Sequence, residues 1–182
     1  ALLHAERVQS LIVSDIAPVN YHEPANAKDG ASLRTILEAL GSLDLSKVKQ
    51  RSDAMGALES SIPSPAVRGF ALMNLEADKA TGAWKWKCNL PVLSATLNRW
   101  DDFTALSKAV PPYTSPTLFV RGSRSGYIQP DNAPHMEAIE TMFPAYELET
   151  IEGAAHWIHA DKPTEFAEVV HNFLDAYASS NY

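Results

Sequence analysis

The sequence has little of what marks several large classes of protein. Its 182 residues include a single cysteine, Cys88, which excludes a disulfide framework within the chain. No apolar stretch approaches the ~20 residues that a membrane-spanning helix needs, so no membrane span is expected. The net charge is −7 and basic residues form no run, which argues against binding to nucleic acid or to an anionic membrane surface. Hydrophobic residues make up 46% of the chain, which is enough to build one core.

Strands and helices are predicted to alternate near the two ends of the chain. The short apolar run Leu11–Ser14 predicts a buried strand, and segments 117–120 and Tyr146–Ile151 predict two more. Amphipathic patterns over 131–143 and 163–177 predict helices after the later strands. Strands that alternate with helices imply a mostly parallel sheet, which places the chain in the α/β class.

The middle of the chain is predicted to be mostly helical. Apolar residues recur there at helical spacing, and Ser32 is a plausible N-cap for the first helix. The helices predicted in this part are 32–40, 45–58, 64–74, 93–97 and 100–106. A break at 79–82 comes before a short strand at 84–87. We therefore divide the chain into a core, residues 1–21 and 106–182, and a helical insertion, residues 22–105.

Two residues that could carry chemistry lie at predicted strand ends. Asp15 follows the first strand, and His156 lies in the small-residue loop after the last one. Open α/β sheets place their sites at the carboxyl ends of strands, so both side chains are expected at one edge of the sheet. Aspartate before histidine is the order found in the Ser…Asp…His triads of α/β-hydrolases. In such a triad the carboxylate orients the imidazole, and the imidazole moves the proton of the serine.

Each of these residues also has an ordinary interpretation. An aspartate after a strand is often a turn former, and a histidine in a loop is often only solvated. His159 lies three residues past His156, and we interpret it as a helix-entry residue rather than the base. The two histidines have no nearby third ligand, so no metal is expected, and the chemistry needs no organic cofactor.

Four segments resemble segments of the ABHD11-type, YbfF-like α/β-hydrolases, and they span nearly the whole chain in the right order. They are LIVSDIAPVNY at 11–21, GAWKWKCNLP at 82–91, TLFVRGSRSGYI at 117–128 and GAAHWIHADKP at 153–163. The resemblance implies that Asp15 is the acid and His156 the base of a serine esterase. It further implies the C-terminal part of an α/β-hydrolase fold, with residues 22–105 as a helical lid. The loop after 117–120 holds no carboxylate before Asp131, which independently favours Asp15 as the acid.

The triad serine is not found in the sequence. The Gly-His-Ser-Met-Gly-Gly turn of the family is expected shortly before Ala1, and neither Ser10 nor Ser14 lies in a Gly-x-Ser-x-Gly turn. The first residues, ALLHAERV, are typical of the end of a helix, which also predicts missing sequence upstream. We therefore expect activity only together with the N-terminal half of the protein, in the same or a separate polypeptide.

The expected substrate is a small-molecule ester or acyl compound, hydrolysed as a carboxylic ester or thioester. The candidates for substrate contact are Tyr21, Trp84, Trp86, Tyr127 and Trp157. The alternative for the aromatic residues is packing of the insertion onto the sheet. The rival hypothesis is a non-catalytic hydrolase-fold subunit that serves in binding or scaffolding. The resemblance implies a mitochondrial location in a eukaryote and a cytoplasmic one in a bacterium.

Overall fold

The computed structural model describes residues 1–21, 32–97 and 103–178. The chain divides into two compact units, one made of Ala1–Ala25 with Asp101–Tyr182 and the other of Asn26–Trp100. We call them the core unit and the helical unit. The role of the helical unit as a lid remains a prediction.

Regular elements follow one another closely along the chain. The strands are β1 (Leu11–Ser14), β2 (Leu75–Ala77), β3 (Trp84–Trp86), β4 (Thr117–Gly122) and β5 (Tyr146–Ile151). The helices are α1 (Leu33–Ser42), α2 (Arg51–Ala57), α3 (Pro65–Ala71), α4 (Leu90–Thr96), α5 (Phe103–Ala109), α6 (Ala133–Met142), α7 (Ile158–Asp161) and α8 (Pro163–Ala178). Short 3₁₀ turns lie at Ala5–Arg7, Leu45–Lys47 and Leu72–Asn74.

The sheet of the core unit is parallel, as predicted, with the strand order β1-β4-β5. Leu11 pairs with Thr117, which pairs in turn with Tyr146. The central strand β4 is almost wholly buried, which fits its position between two neighbours. It continues through Arg121 and Gly122, two residues that the sequence assigned to a loop.

Two apolar layers cover the faces of this sheet, because side chains of β4 alternate between them. One layer, around the helix α6, contains Ala17, Tyr113, Phe119, Ile128, Ile139, Met142 and Phe143. The other, around the helix α8, contains Leu118, Val120, Ile151, Ala154, Ile158 and Phe173. Burial of each large apolar side chain contributes about 1.5–3 kcal/mol. Ala17 in one layer and Ala154 in the other belong to loops that follow strands, so the layers hold these loops at the carboxyl ends of the strands.

The helical unit has a core of its own. Its buried residues are Leu37, Leu40, Val48, Ala54, Leu58, Ile62, Ala71, Leu72, Leu75 and Leu90. The Ser32 hydroxyl accepts a 3.1 Å hydrogen bond from the Thr35 amide, so the predicted N-cap is present. Strands β2 and β3 form an antiparallel hairpin, whose first strand the sequence did not predict.

Two further sequence predictions on local structure are wrong. The single helix predicted over 45–58 is instead a 3₁₀ turn followed by the helix α2. The helix α2 starts anew because the Asp53 carboxylate accepts hydrogen bonds from the backbone amides of Lys49 and Gln50. The helical tail predicted at the start is one 3₁₀ turn, Ala5–Arg7, whose hydrogen bonds each span only three residues. Leu2 and Val8 pack against the core cluster around α6, and this tertiary contact overrides the local helical preference.

Candidate active site

Asp15 and His156 meet at the carboxyl edge of the parallel sheet, although they lie 141 residues apart in sequence. Nδ1 of His156 lies 2.8 Å from Oδ2 of Asp15, and an ionised carboxylate there accepts a hydrogen bond from the Nδ1–H group. The Asp15 side chain is fully buried, whereas the His156 side chain is 35% exposed. A buried carboxylate therefore holds one nitrogen of a ring whose other side reaches solvent.

The backbone at Asp15 turns sharply as the strand β1 ends. Its φ is 52°, which lies in the left-handed region that aspartate tolerates better than most residues. The Asp15 amide donates a 2.8 Å hydrogen bond to the Val120 carbonyl and so continues the ladder with β4. Oδ1 of Asp15 accepts a 3.2 Å hydrogen bond from the Gly122 amide, so both carboxylate oxygens have a donor.

The loop that carries His156 is held on several sides. Gly153, with a φ of 74°, begins the loop, and its amide donates a 2.9 Å hydrogen bond to the Ser123 hydroxyl. The Arg124 amide donates a 3.0 Å hydrogen bond to the Ala154 carbonyl. The Ala155 amide donates a 2.7 Å hydrogen bond to Oδ2 of Asp161. These bonds tie the loop to the end of β4 and to α7.

Gly122 allows this loop to approach β4 closely. A Cβ atom at Gly122 would lie 2.4 Å from the Ala155 carbonyl oxygen and 2.5 Å from that of Ala154, too close for any side chain. Sequence reasoning did not identify Gly122 as a site residue. Gly122 lies two residues past the predicted strand 117–120; only a strand prediction extended to Gly122 would have placed a glycine within a strand, where it often marks the close approach of another backbone.

The other ring nitrogen of His156, Nε2, has no hydrogen-bond partner within residues 1–21, 32–97 and 103–178. The Asp15 carboxylate accepts the hydrogen bond from Nδ1, which holds the ring by that edge and leaves Nε2 for another group. An imidazole held in this way can take a proton at Nε2 and return it later. This is the chemistry that the pair is able to perform.

Three of the predicted contact residues lie in the same region of the core unit. The Tyr127 ring stacks on the His156 ring, with centroids 4.1 Å apart and an interplanar angle of 28°. The Tyr21 hydroxyl accepts a 2.8 Å hydrogen bond from the Ala17 amide and donates one to the Tyr127 carbonyl. Burial is the main cause that raises the pKa of the Tyr21 phenol. Trp157 directly follows His156, is half-buried and precedes α7.

The remaining two predicted contact residues belong to the helical unit. Trp84 and Trp86 belong to β3 and pack against the core of the helical unit itself, and their contact with substrate remains a prediction. His159 lies in α7, is exposed and has its ring 6.3 Å from that of Phe166. The described residues contain no group of three or more His, Cys, Asp or Glu arranged to hold a metal ion. Within those residues, no helix combines the length and the apolar character that crossing a bilayer requires.

Comparisons with known proteins found relatives that are named as lipases and esterases. No protein-family model matches the chain. The chain is 30% identical over 178 residues to mouse sn-1-specific diacylglycerol lipase ABHD11. The aligned region covers 96% of this chain and 53% of the lipase. It is 26% identical over 175 residues to the esterase YbfF of Escherichia coli, across 95% of this chain and 60% of that protein. The chain thus spans about half the length of the lipase and somewhat more of the esterase.

A solved structure extends the likeness to the fold. The esterase of a marine microorganism superposes with a TM-score of 0.82 at 30% identity, across 95% of this chain and 63% of that one. Together with the parallel sheet and the Asp–His pair at its edge, these likenesses place the chain in the α/β-hydrolase superfamily. Within that superfamily the chain is an ABHD11/YbfF-like member.

Proposed function

We propose that this chain supplies the acid and the base of a serine hydrolase that acts on carboxylic esters or thioesters. The observation that carries the proposal is the 2.8 Å contact between Asp15 and Nδ1 of His156, with Nε2 left without a partner in the described part of the chain. The relatives' names support an ester substrate, since one is a diacylglycerol lipase and another an esterase.

In the proposed reaction His156 moves the proton and Asp15 keeps the ring in place. Nε2 takes the proton of the serine hydroxyl as the serine oxygen attacks the ester carbonyl, and the Asp15 carboxylate stabilises the imidazolium that forms. The imidazolium then gives its proton to the leaving alcohol or thiol. Water, activated by the same nitrogen, hydrolyses the acyl-enzyme and regenerates the serine.

The serine itself is proposed to lie in an N-terminal half of the protein, in the same or a separate polypeptide. The chain covers only about half of the mouse relative, and none of its own serines lies in a Gly-x-Ser-x-Gly turn. Within the described residues β1 pairs on one side only, with β4, so its other edge can accept a further strand. We propose a mitochondrial location if the protein is eukaryotic and a cytoplasmic one if it is bacterial.

The decisive experiment is labelling of the full-length protein with a fluorophosphonate probe, which reacts with activated serines. Labelling is expected in the wild type and is expected to be lost in Asp15→Asn and in His156→Ala. His159→Ala is the matched control, because His159 is an exposed histidine three residues away with no contact to Asp15. A folded full-length protein that does not label would overturn the proposal and favour a non-catalytic subunit.

A further inference from the structure

One face of the His156 imidazole is covered by the ring of Tyr127. The ring centroids are 4.1 Å apart and the planes are 28° from parallel, a close and nearly stacked contact. Its separation is shorter than that of the other described aromatic contacts of the core unit, in which centroids lie between 4.9 and 6.3 Å. Offset stacking of this kind contributes about 0.5–1.5 kcal/mol beyond burial of area.

The position of Tyr127 is set by the same loops that carry the acid. Its carbonyl accepts hydrogen bonds from the Ala17 amide, at 3.3 Å, and from the Tyr21 hydroxyl, and both donors lie in the loop after β1. Its amide donates a 3.2 Å hydrogen bond to the Ser125 hydroxyl. The next residue, Ile128, is fully buried, which fixes the chain on the far side. The Tyr127 backbone is therefore held where its ring meets the imidazole.

The bond to Asp15 alone does not fix the plane of the imidazole. A single hydrogen bond at Nδ1 constrains one edge of the ring, and the second side-chain torsion of histidine has only broad minima. A ring stacked on one face removes the remaining rotation. A cation over an aromatic face is also favourable, so the contact is retained when the imidazole takes a proton.

We infer that Tyr127 is a positioning residue, which holds the His156 ring so that Nε2 points to the reacting hydroxyl. The inference rests on the proposed function and goes beyond it, because the sequence suggested Tyr127 only as a wall for the substrate. The two roles differ in their kinetic effect. A positioning residue affects kcat, whereas a wall that binds substrate and transition state equally affects KM.

The kinetic test uses the full-length protein and a short-chain p-nitrophenyl ester. Tyr127→Phe keeps the ring and is expected to stay within about threefold of the wild-type kcat, whereas Tyr127→Leu is expected to lose about 10²-fold, the scale of a small misplacement. KM is expected to stay within about twofold in both. Unchanged kcat in Tyr127→Leu, or a change confined to KM, would overturn the inference. Should Tyr127→Leu not fold, the second variant is Tyr21→Phe, which removes the hydroxyl bonded to the Tyr127 carbonyl and keeps the Tyr127 ring. A loss confined to kcat is expected there too.

An NMR measurement tests the contact without any substrate. The ring current of Tyr127 is expected to move the carbon-bound ring protons of His156 upfield, and Tyr127→Leu is expected to reverse that shift while the His159 signals stay in place. Unmoved His156 signals would show that the stack is absent and would overturn the inference. If the wild type hydrolyses no ester, the proposed function fails, whatever the NMR result. If the wild type hydrolyses the ester and Tyr127→Leu does so with the same kcat, the positioning role of Tyr127 fails and the proposed function stands.

Discussion

The backbone amide of Gly122 donates a 3.2 Å hydrogen bond to Oδ1 of Asp15. The second carboxylate oxygen accepts from His156, so one buried side chain joins the end of β1, the end of β4 and the loop after β5. Since β4 lies between the other two strands, the contact between acid and base passes over its end. A glycine there provides the donor and leaves the space.

Asp15→Asn is expected to remove most of the hydrolytic activity and to leave the fold intact. Asparagine has nearly the same size and tolerates the left-handed φ of 52°, but it cannot stabilise the imidazolium or select the right tautomer. We expect kcat to fall by about 10⁴-fold. The measurement is steady-state kinetics of the full-length protein beside its thermal unfolding curve. Asp15→Val places a β-branched residue at the same φ and should lose stability as well as activity. A near-normal kcat in Asp15→Asn would contradict the assignment of Asp15 as the triad acid.

Gly122→Ala is expected to destabilise the core unit because the new methyl group would overlap two carbonyl oxygens. We expect the free energy of unfolding to fall by about 1–3 kcal/mol, the usual cost of overpacking. Gly69→Ala is the matched control, since it adds the same methyl group inside α3, where no atom outside the helix's own backbone and the neighbouring residues lies within 4 Å. That control is expected to stabilise the protein by about 0.5–1 kcal/mol. Urea denaturation measures both, and equal effects of the two variants would contradict the close approach.

His135 is expected to make the stability of the protein depend on pH. Its ring is buried, Nδ1 accepts a 3.2 Å hydrogen bond from the Gln129 amide, and burial lowers its pKa from the ordinary 6.5. Below pH 6.5 the unfolded chain binds a proton that the folded protein does not, so stability falls as the pH drops toward the lower folded pKa.

The variant His135→Asn tests this dependence, because its side-chain oxygen can replace Nδ1 as acceptor and does not titrate. The pH slope of the unfolding free energy below the ordinary histidine pKa is expected to flatten by up to ~1.4 kcal/mol per pH unit. Urea denaturation at several pH values between neutral and mildly acidic conditions measures the slope. Identical slopes in wild type and variant would rule out His135 as the cause.

Asp161 and Arg124 are expected to differ in importance although they form an ion pair. The pair is 4.0 Å apart and the Arg124 side chain is 65% exposed, so Arg124→Ala should cost less than about 0.5 kcal/mol. Asp161 also accepts the 2.7 Å hydrogen bond from the Ala155 amide, next to His156. Asp161→Ala should therefore cost about 1 kcal/mol and should slow probe labelling, whereas Arg124→Ala should label normally. A larger effect of Arg124→Ala would reverse this ranking.

The position of Asp15 and His156 could be predicted from the sequence because it depends on periodicity. Apolar runs locate the strands, and the ends of parallel strands meet at one edge of the sheet. The stack of Tyr127 on His156 could not be predicted, because it depends on side-chain torsions and on a loop that other loops hold in place. The close approach at Gly122 likewise depends on the path of a loop more than thirty residues later.

Helix boundaries show where the pattern misleads. Leu45, Val48 and Leu58 all contribute to the core of the helical unit, so the spacing of apolar residues continues across a break in the backbone. The break itself is made by the Asp53 carboxylate, which accepts two amides and begins a new helix. A polar cap decides the boundary, whereas apolar spacing records only which side chains face inward.

The registers of the sheet bear on the order in which the chain folds. Thr117 pairs with Tyr146, fewer than thirty residues later, whereas Leu11 pairs with Thr117 across more than a hundred. Closing the longer loop, between β1 and β4, costs more conformational entropy, so these two strands pair more slowly than β4 and β5. We expect β4, α6 and β5 to assemble first and β1 to dock last, so that Val13→Ala in β1 speeds unfolding and hardly changes the folding rate in stopped-flow measurements. Asp15 then reaches His156 only when β1 docks, at the end of core assembly. A partly folded chain in which β1 has not docked has the His156 imidazole without its carboxylate partner.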